Sequence, residues 1–228
     1  RIAEKLRQTA EFRTLYVEKG AAGLARLREA GLEPTPQEEA IRQADTVVLA
    51  IPDTVIGRVA TQIVPQLNSG ALVILLDPAA PHGGELPQRE DIAYFVVHPC
   101  HPPIVNDEVE PAARRDFWGG VAKQNIVCAL MQGSDDDYAK GERIARKMFA
   151  PIIDAHRITV EQMAVLEPAM AETVILTCMV VMKEAIEAAI ERGVPRQVAY
   201  DFALGHMRVN LGILFGYIDA EVSEGAKL

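Results

Sequence analysis

The sequence predicts an α/β chain, with a doubly wound parallel sheet over residues 1–155 and an all-α C-terminal domain over residues 156–228. Three observations carry that expectation. Short, continuously apolar and β-branched runs recur at Asp45–Asp53, Ala71–Asp77 and Ile92–His98, the pattern of parallel strands covered on both faces. Helical patterns separate them, giving the strand-helix-strand rhythm of an open α/β sheet. After about Thr159 the strand signal stops, and two long helical patterns follow over Thr159–Arg192 and Pro195–Phe215, parted by Gly193-Val-Pro195.

In order along the chain, residues 2–8 read as a helix remnant and Phe12–Glu18 as a short strand that alternates faces and ends on a carboxylate. A helix over about Ala21–Ala30 and a turn over Gly31–Pro36 come next. Thr35-Pro36 then opens a helix whose first turn carries Glu38 and Glu39, where the helix dipole favours them. A helix over Thr54–Gln66 links the first two buried-strand patterns, and Asn68-Ser-Gly70 makes the turn before the second. Such an order is that of a Rossmann-type domain. The Gly-x-Gly-x-x-Gly turn of such domains is expected immediately before Arg1, with both ends of the chain reading as cut and Arg1–Gln8 as the rest of the helix behind that turn.

Composition narrows the partners. With 23 Lys and Arg against 32 Asp and Glu, the net charge of −9 repels phosphate backbones and anionic lipid, so nucleic acid is not an expected partner. The most apolar run, Val174–Met182, is far short of the ~20 residues that span a bilayer, so no membrane partner is expected either. Three cysteines without a CxxC pair suit reduced thiols in a cytoplasmic protein.

In an open α/β sheet the ligand sits beyond the carboxyl ends of the strands, so the informative residues are those that follow each apolar run. Glu18 stands where a carboxylate accepts hydrogen bonds from an adenosine ribose and repels a 2′-phosphate, which favours NAD; it can equally be a solvated carboxylate. Ile51, Pro52 and Asp53 follow the next strand, and Asp77-Pro-Ala-Ala-Pro81 the one after. His98-Pro-Cys-His-Pro-Pro103 sets two imidazoles and a thiol on a stiff loop that could ligate a divalent metal or move a proton. Glu167 falls on the apolar helical stripe Val160, Ala164, Ala171, Val174, Cys178 and Val181, where an uncompensated carboxylate is costly. An arginine, a metal or a substrate group would compensate it. Lys123-Gln-Asn125, His206 and Asn210 are candidate substrate contacts, with His206 alternatively a core histidine, and Asp135–Asp137 reads as a helix start.

The segments Tyr94–Pro103, Ala112–Phe117, Ile126–Gly133, Ala155–Met163 and Leu166-Glu-Pro-Ala169 give the chain a resemblance over nearly its whole length. It is similar to the D-apionate oxidoisomerase family of the 6-phosphogluconate dehydrogenase superfamily. The resemblance implies an NAD-dependent enzyme that oxidises a branched sugar acid, D-apionate, and rearranges the 2-oxo acid to 3-oxo-isoapionate by an acyloin-type carbon shift. That shift motivates a divalent cation, zinc. Matching positions carry the metal role to His98 and Glu167, with His101 a lesser candidate, and the catalytic set becomes His98, Glu167 and His206. The competing expectations are a metal-independent β-hydroxyacid or imine reductase of the same superfamily, and a non-enzymatic helical dimer with a vestigial nucleotide fold. The apolar long helix also predicts a homodimer.

Overall fold

The computed structural model describes residues 1–226. The chain opens with three helices, α1 (Ile2–Arg7), α2 (Ala21–Glu29) and α3 (Gln37–Gln43), and then enters the sheet at β1 (Thr46–Leu49). Helix α4 (Asp53–Ile63) leads to β2 (Leu72–Leu75), and the short α5 (Ala79–His82) to β3 (Ala93–His101). A loop holding α6 (Pro111–Arg114) precedes β4 (Gln124–Gln132), α7 (Asp135–Met148) and β5 (Ile152–Arg157). Thereafter the chain is helical: α8 (Val160–Ala164), a π-helical stretch over Val165–Ile175, α9 (Leu176–Glu191) and α10 (Arg196–Leu214).

The five strands form one sheet in the order β1-β2-β3-β4-β5. Its two faces are separate cores, as the period-two alternation of a strand requires. On one face Val73, Leu75 and Val96 meet Ile56 and Ala60 of α4 and Met163 of α8. On the other, Leu72, Ile74 and Phe95 meet Leu6 of α1 and Ile144, Ala145 and Met148 of α7. All four β2 side chains are fully buried, each such burial contributing about 1.5–3 kcal/mol. Helix α7 begins where the acidic run predicts a start. Ser134 caps it and exchanges a capping box with Asp137, satisfying two of its orphan N–H groups.

At Gly141 the backbone of α7 comes close onto the sheet: a Cβ there would lie 2.5 Å from the Phe95 ring. Gly141→Ala is therefore expected to destabilise the protein by about 1–3 kcal/mol by overpacking, despite alanine's better helix propensity. Urea unfolding checks this, and a stabilised variant would contradict it.

Two expectations need correction. Phe12–Glu18 is not a strand; Tyr16 alone bridges to Pro34, and a proline, lacking an N–H, cannot continue a ladder. The sheet is not wholly parallel, since β4 runs antiparallel to β3. A parallel crossover needs a helix long enough to carry the chain back along the strand, and the β3–β4 connection has only the four-residue α6. The chain divides into compact units at Arg1–Pro168 and Ala169–Leu228, with β5 and α8 in the first.

The helices from Val160 to Glu191 join into one 32-residue run, long and apolar enough by composition to cross a membrane and with none of its most apolar window buried. Counting only the uninterrupted apolar residues had made that segment look shorter. In the second unit Ile186, Ala199 and Gly212 are the buried residues described, while Val174, Val181, Val198, Phe202, Val209 and Leu214 are exposed.

Candidate functional site

The site grows out of strand register. In the parallel pairing of β2 and β3, Leu75 lies opposite Val96. Two residues further on, the same register sets Asp77 beside His98 and turns both toward the face that holds Leu75 and Val96. Met163 of α8 is buried in that same core, and Glu167 follows it by one helical turn. The potential ligand atoms of Asp77, His98 and Glu167 consequently all lie within 4.8 Å of one another.

His98 is held in one tautomer. Its Nδ1 lies 2.9 Å from the Leu76 carbonyl oxygen. A carbonyl only accepts, so Nδ1 carries the proton and Nε2 keeps the lone pair that binds a metal. Asp77 is buried, and its Oδ1 accepts the N–H of Ala79 at 2.7 Å in the first turn of α5. Two carboxylates and one imidazole held this close make a donor set that suits a divalent cation, whose charge would offset theirs. The sequence placed Asp77 at a strand end but not among the ligands; its register with His98 is a property of the sheet, and only the paired apolar runs hinted at it.

His101 does not join the three. Its backbone is left-handed, at φ 61°, and its Nδ1 donates to the Trp118 carbonyl at 3.3 Å. The ring sits edge-on to Trp118 with centroids 5.5 Å apart and 6.3 Å from the His98 ring. Desolvation holds its pKa below the ordinary value, opposed by the Trp118 carbonyl and assisted by His98 and Arg1. The left-handed backbone, at a register shift between Pro99 and His101, turns the His101 ring to Trp118 and away from the ligand set.

Of the expected cofactor contacts, Ile51, Pro52 and Asp53 follow the carboxyl end of β1. Ile51 packs against the core, Pro52 caps α4, and Asp53 is its first residue. Glu18 is exposed, and its Oε1 accepts the N–H groups of Lys19 and Gly20 at 2.8 and 2.7 Å as the chain enters α2. A Cβ at Gly23 would meet this side chain, so a substitution there would push the exposed carboxylate aside. Within Lys123-Gln-Asn125, Gln124 and Asn125 hold backbone: Gln124 is buried with Nε2 donating to the Phe149 carbonyl at 2.9 Å, and Asn125 accepts the Asp154 N–H.

His206 is on α10, in the second unit. It is exposed rather than a core histidine, stacks on Phe202 with centroids 4.0 Å apart, and donates from Nδ1 to the Phe202 carbonyl at 2.8 Å. Val198, Asp201, Gly205 and Val209 line an open groove with these two rings along one stripe of that helix.

Two family models together span the chain. Residues 3–112 match the acetohydroxy acid isomeroreductase, NADPH-binding domain, and residues 106–228 match the phosphogluconate dehydrogenase (decarboxylating) C-term. The D-apionate oxidoisomerase of Cupriavidus necator is 47% identical over 98% of this chain and 82% of its own length, and that of Rhizobium rhizogenes is 48% identical over the same shares. Among solved structures, a semialdehyde dehydrogenase NAD-binding protein from Cupriavidus necator, in complex with calcium and NAD, superposes with a TM-score of 0.95 at 46% identity, covering 98% of this chain and 82% of that one. An NADH-preferring ketol-acid reductoisomerase from an uncultured archaeon shares the fold, with a TM-score of 0.73 at 18% identity over 94% of this chain and 65% of that one. With a nucleotide-binding sheet domain, a helical C-terminal region and relatives this close over nearly its whole length, the chain belongs to the D-apionate oxidoisomerase family.

Proposed function

We propose that the protein is an NAD-dependent oxidoisomerase that converts D-apionate to 3-oxo-isoapionate, with Asp77, His98 and Glu167 holding a divalent cation, zinc, at the reacting carbons. The convergence of those three side chains within 4.8 Å is the observation that carries this reading. A hydride reductase has no need of two carboxylates facing one imidazole; a carbon shift between adjacent oxygen-bearing carbons, assisted by a cation, does.

In the oxidation, carbon 2 loses its hydride, which bound NAD would accept, and its hydroxyl proton goes to a base. In the shift, the tertiary hydroxyl on carbon 3 loses its proton and a hydroxymethyl group moves to carbon 2 with its bonding pair. Carbon 3 becomes the ketone, and the former carbonyl oxygen takes up a proton. A divalent cation held by Asp77, His98 and Glu167 would supply Lewis acidity, favouring loss of the hydroxyl proton and polarising the carbonyl. The chain's own task is geometric. The Leu76 carbonyl keeps His98 in its Nε2-basic tautomer, the Ala79 N–H fixes the Asp77 carboxylate, and Glu167 closes the set from the helix. Glu18 would receive the adenosine ribose at the edge beside α2, and Ile51, Pro52 and Asp53 would flank the cofactor at the head of α4. His206 is the proposed further catalytic group from the helical unit.

NADH formation from D-apionate, followed by absorbance with and without prior chelation, tests the reading. The expected outcome is NADH production that chelation removes and added zinc restores. Chelator-resistant NADH formation from a β-hydroxyacid would favour a metal-independent reductase instead.

The second part of the proposal is a homodimer in the cytoplasm. The second unit exposes apolar side chains that include Val174, Val181, Val198, Phe202, Val209 and Leu214, a surface suited to burial against another chain. A second copy suits this surface better than a bilayer, because Glu167 and Glu172 stand within the apolar stretch and carboxylates are costly in hydrocarbon. The three free cysteines fit a reducing compartment.

A further inference from the structure

We infer that Pro168 is a positioning residue: by breaking the α-helical ladder at Ala164 it sets the π register that brings the Glu167 carboxylate over to Asp77 and His98. The inference rests on the metal-site reading above and deepens it.

Helix α8 ends at Ala164, and the π-helical stretch begins at Val165. In an α-helix the Ala164 carbonyl would accept from the N–H of residue 168, which is a proline and has none. The α pattern therefore stops at the residue whose acceptor that proline leaves without its α-helical donor. The wider turn, closing from i to i+5, takes over there.

The register decides where Glu167 points. Met163, four residues earlier, is fully buried in the core on the face of the sheet that Asp77 and His98 share. In a regular α-helix residue 167 would lie about 40° beyond Met163 around the axis. At the radius of a glutamate carboxylate that is a displacement on the order of 4 Å. It is comparable to the whole 4.8 Å spread of the three ligand groups, so the α register would take the carboxylate out of the set. The π turn advances less per residue and returns Glu167 to the line of Met163. Proline directly after the ligand is thus part of what makes position 167 a ligand position, and the tolerated helix breaker in Leu166-Glu-Pro-Ala169 acquires a reason.

The test is Mn²⁺ binding by the full chain, read as free Mn²⁺ in electron paramagnetic resonance, for the wild type, Pro168→Ala and Pro168→Gly, with thermal midpoints measured alongside. Both substitutions restore an N–H, alanine with strong helix propensity and glycine without it. Expected are one Mn²⁺ site in the wild type, weakening by about tenfold or more in Pro168→Ala, the scale of losing a supporting partner of a metal ligand, at an unchanged or higher midpoint. Pro168→Gly serves if the alanine variant does not fold, and is expected to weaken the site as well. Wild-type affinity in a folded variant overturns this inference and leaves the metal site standing. A wild type that binds no Mn²⁺ overturns the metal-site reading and this inference with it.

Discussion

Glu167→Gln is expected to lower turnover of D-apionate by roughly a hundredfold or more while the protein stays folded and soluble. Losing a partner that merely supports a metal ligand costs about 10–100-fold, and loss of a ligand itself costs at least as much. Glutamine keeps the volume and can still hydrogen bond, so packing around Met163 is undisturbed, but it removes the negative charge that the cation would offset. His98→Ala is expected to lower bound metal in the same way, measured as metal per chain after dialysis. Two other results would count against the assignment. Loss of soluble protein in Glu167→Gln would mean that the carboxylate serves a structural ion pair, because breaking a buried pair leaves an uncompensated charge. Full metal content in His98→Ala would remove His98 from the set.

Val209→Glu is expected to dissociate the proposed dimer. Val209 is half exposed in the single chain and lies on the α10 stripe with Val198, Phe202 and Gly205. In a two-fold interface each such substitution appears twice. A buried unpaired carboxylate costs about 2–5 kcal/mol, so the dissociation constant is expected to rise by roughly a thousandfold or more, since each 1.4 kcal/mol is tenfold. Sedimentation velocity checks this by comparing the variant with wild type at micromolar concentration. A wild type that sediments as a monomer, or a variant that stays dimeric, would refute the proposed interface.

The legible parts of the fold are those written in short-range pattern. The Ala71–Asp77 run is apolar at every central position because β2 is covered on both faces, and it reads as such from sequence. Strand β4 does not, since Gln124, Asn125 and Gln132 interrupt its pattern and each makes a hydrogen bond to backbone far away in sequence. His98 and Glu167 were visible as a histidine after a strand and a carboxylate on an apolar stripe. Asp77 became a site residue only through its pairing with His98, and His101 dropped out through a left-handed backbone that no propensity announces. The π stretch was equally hidden. Pro168 signals an interruption, but only the structure says that the helix widens there instead of ending.

The proposed dimer would tie the enzyme's lifetime to its concentration. Association that covers the apolar side chains of the second unit would contribute to the same free energy that holds each subunit together. The melting temperature should climb as the protein is concentrated, and a stock diluted to nanomolar levels should lose activity with time while a concentrated one keeps it. Substrate or NAD that binds only the assembled form would slow that decay.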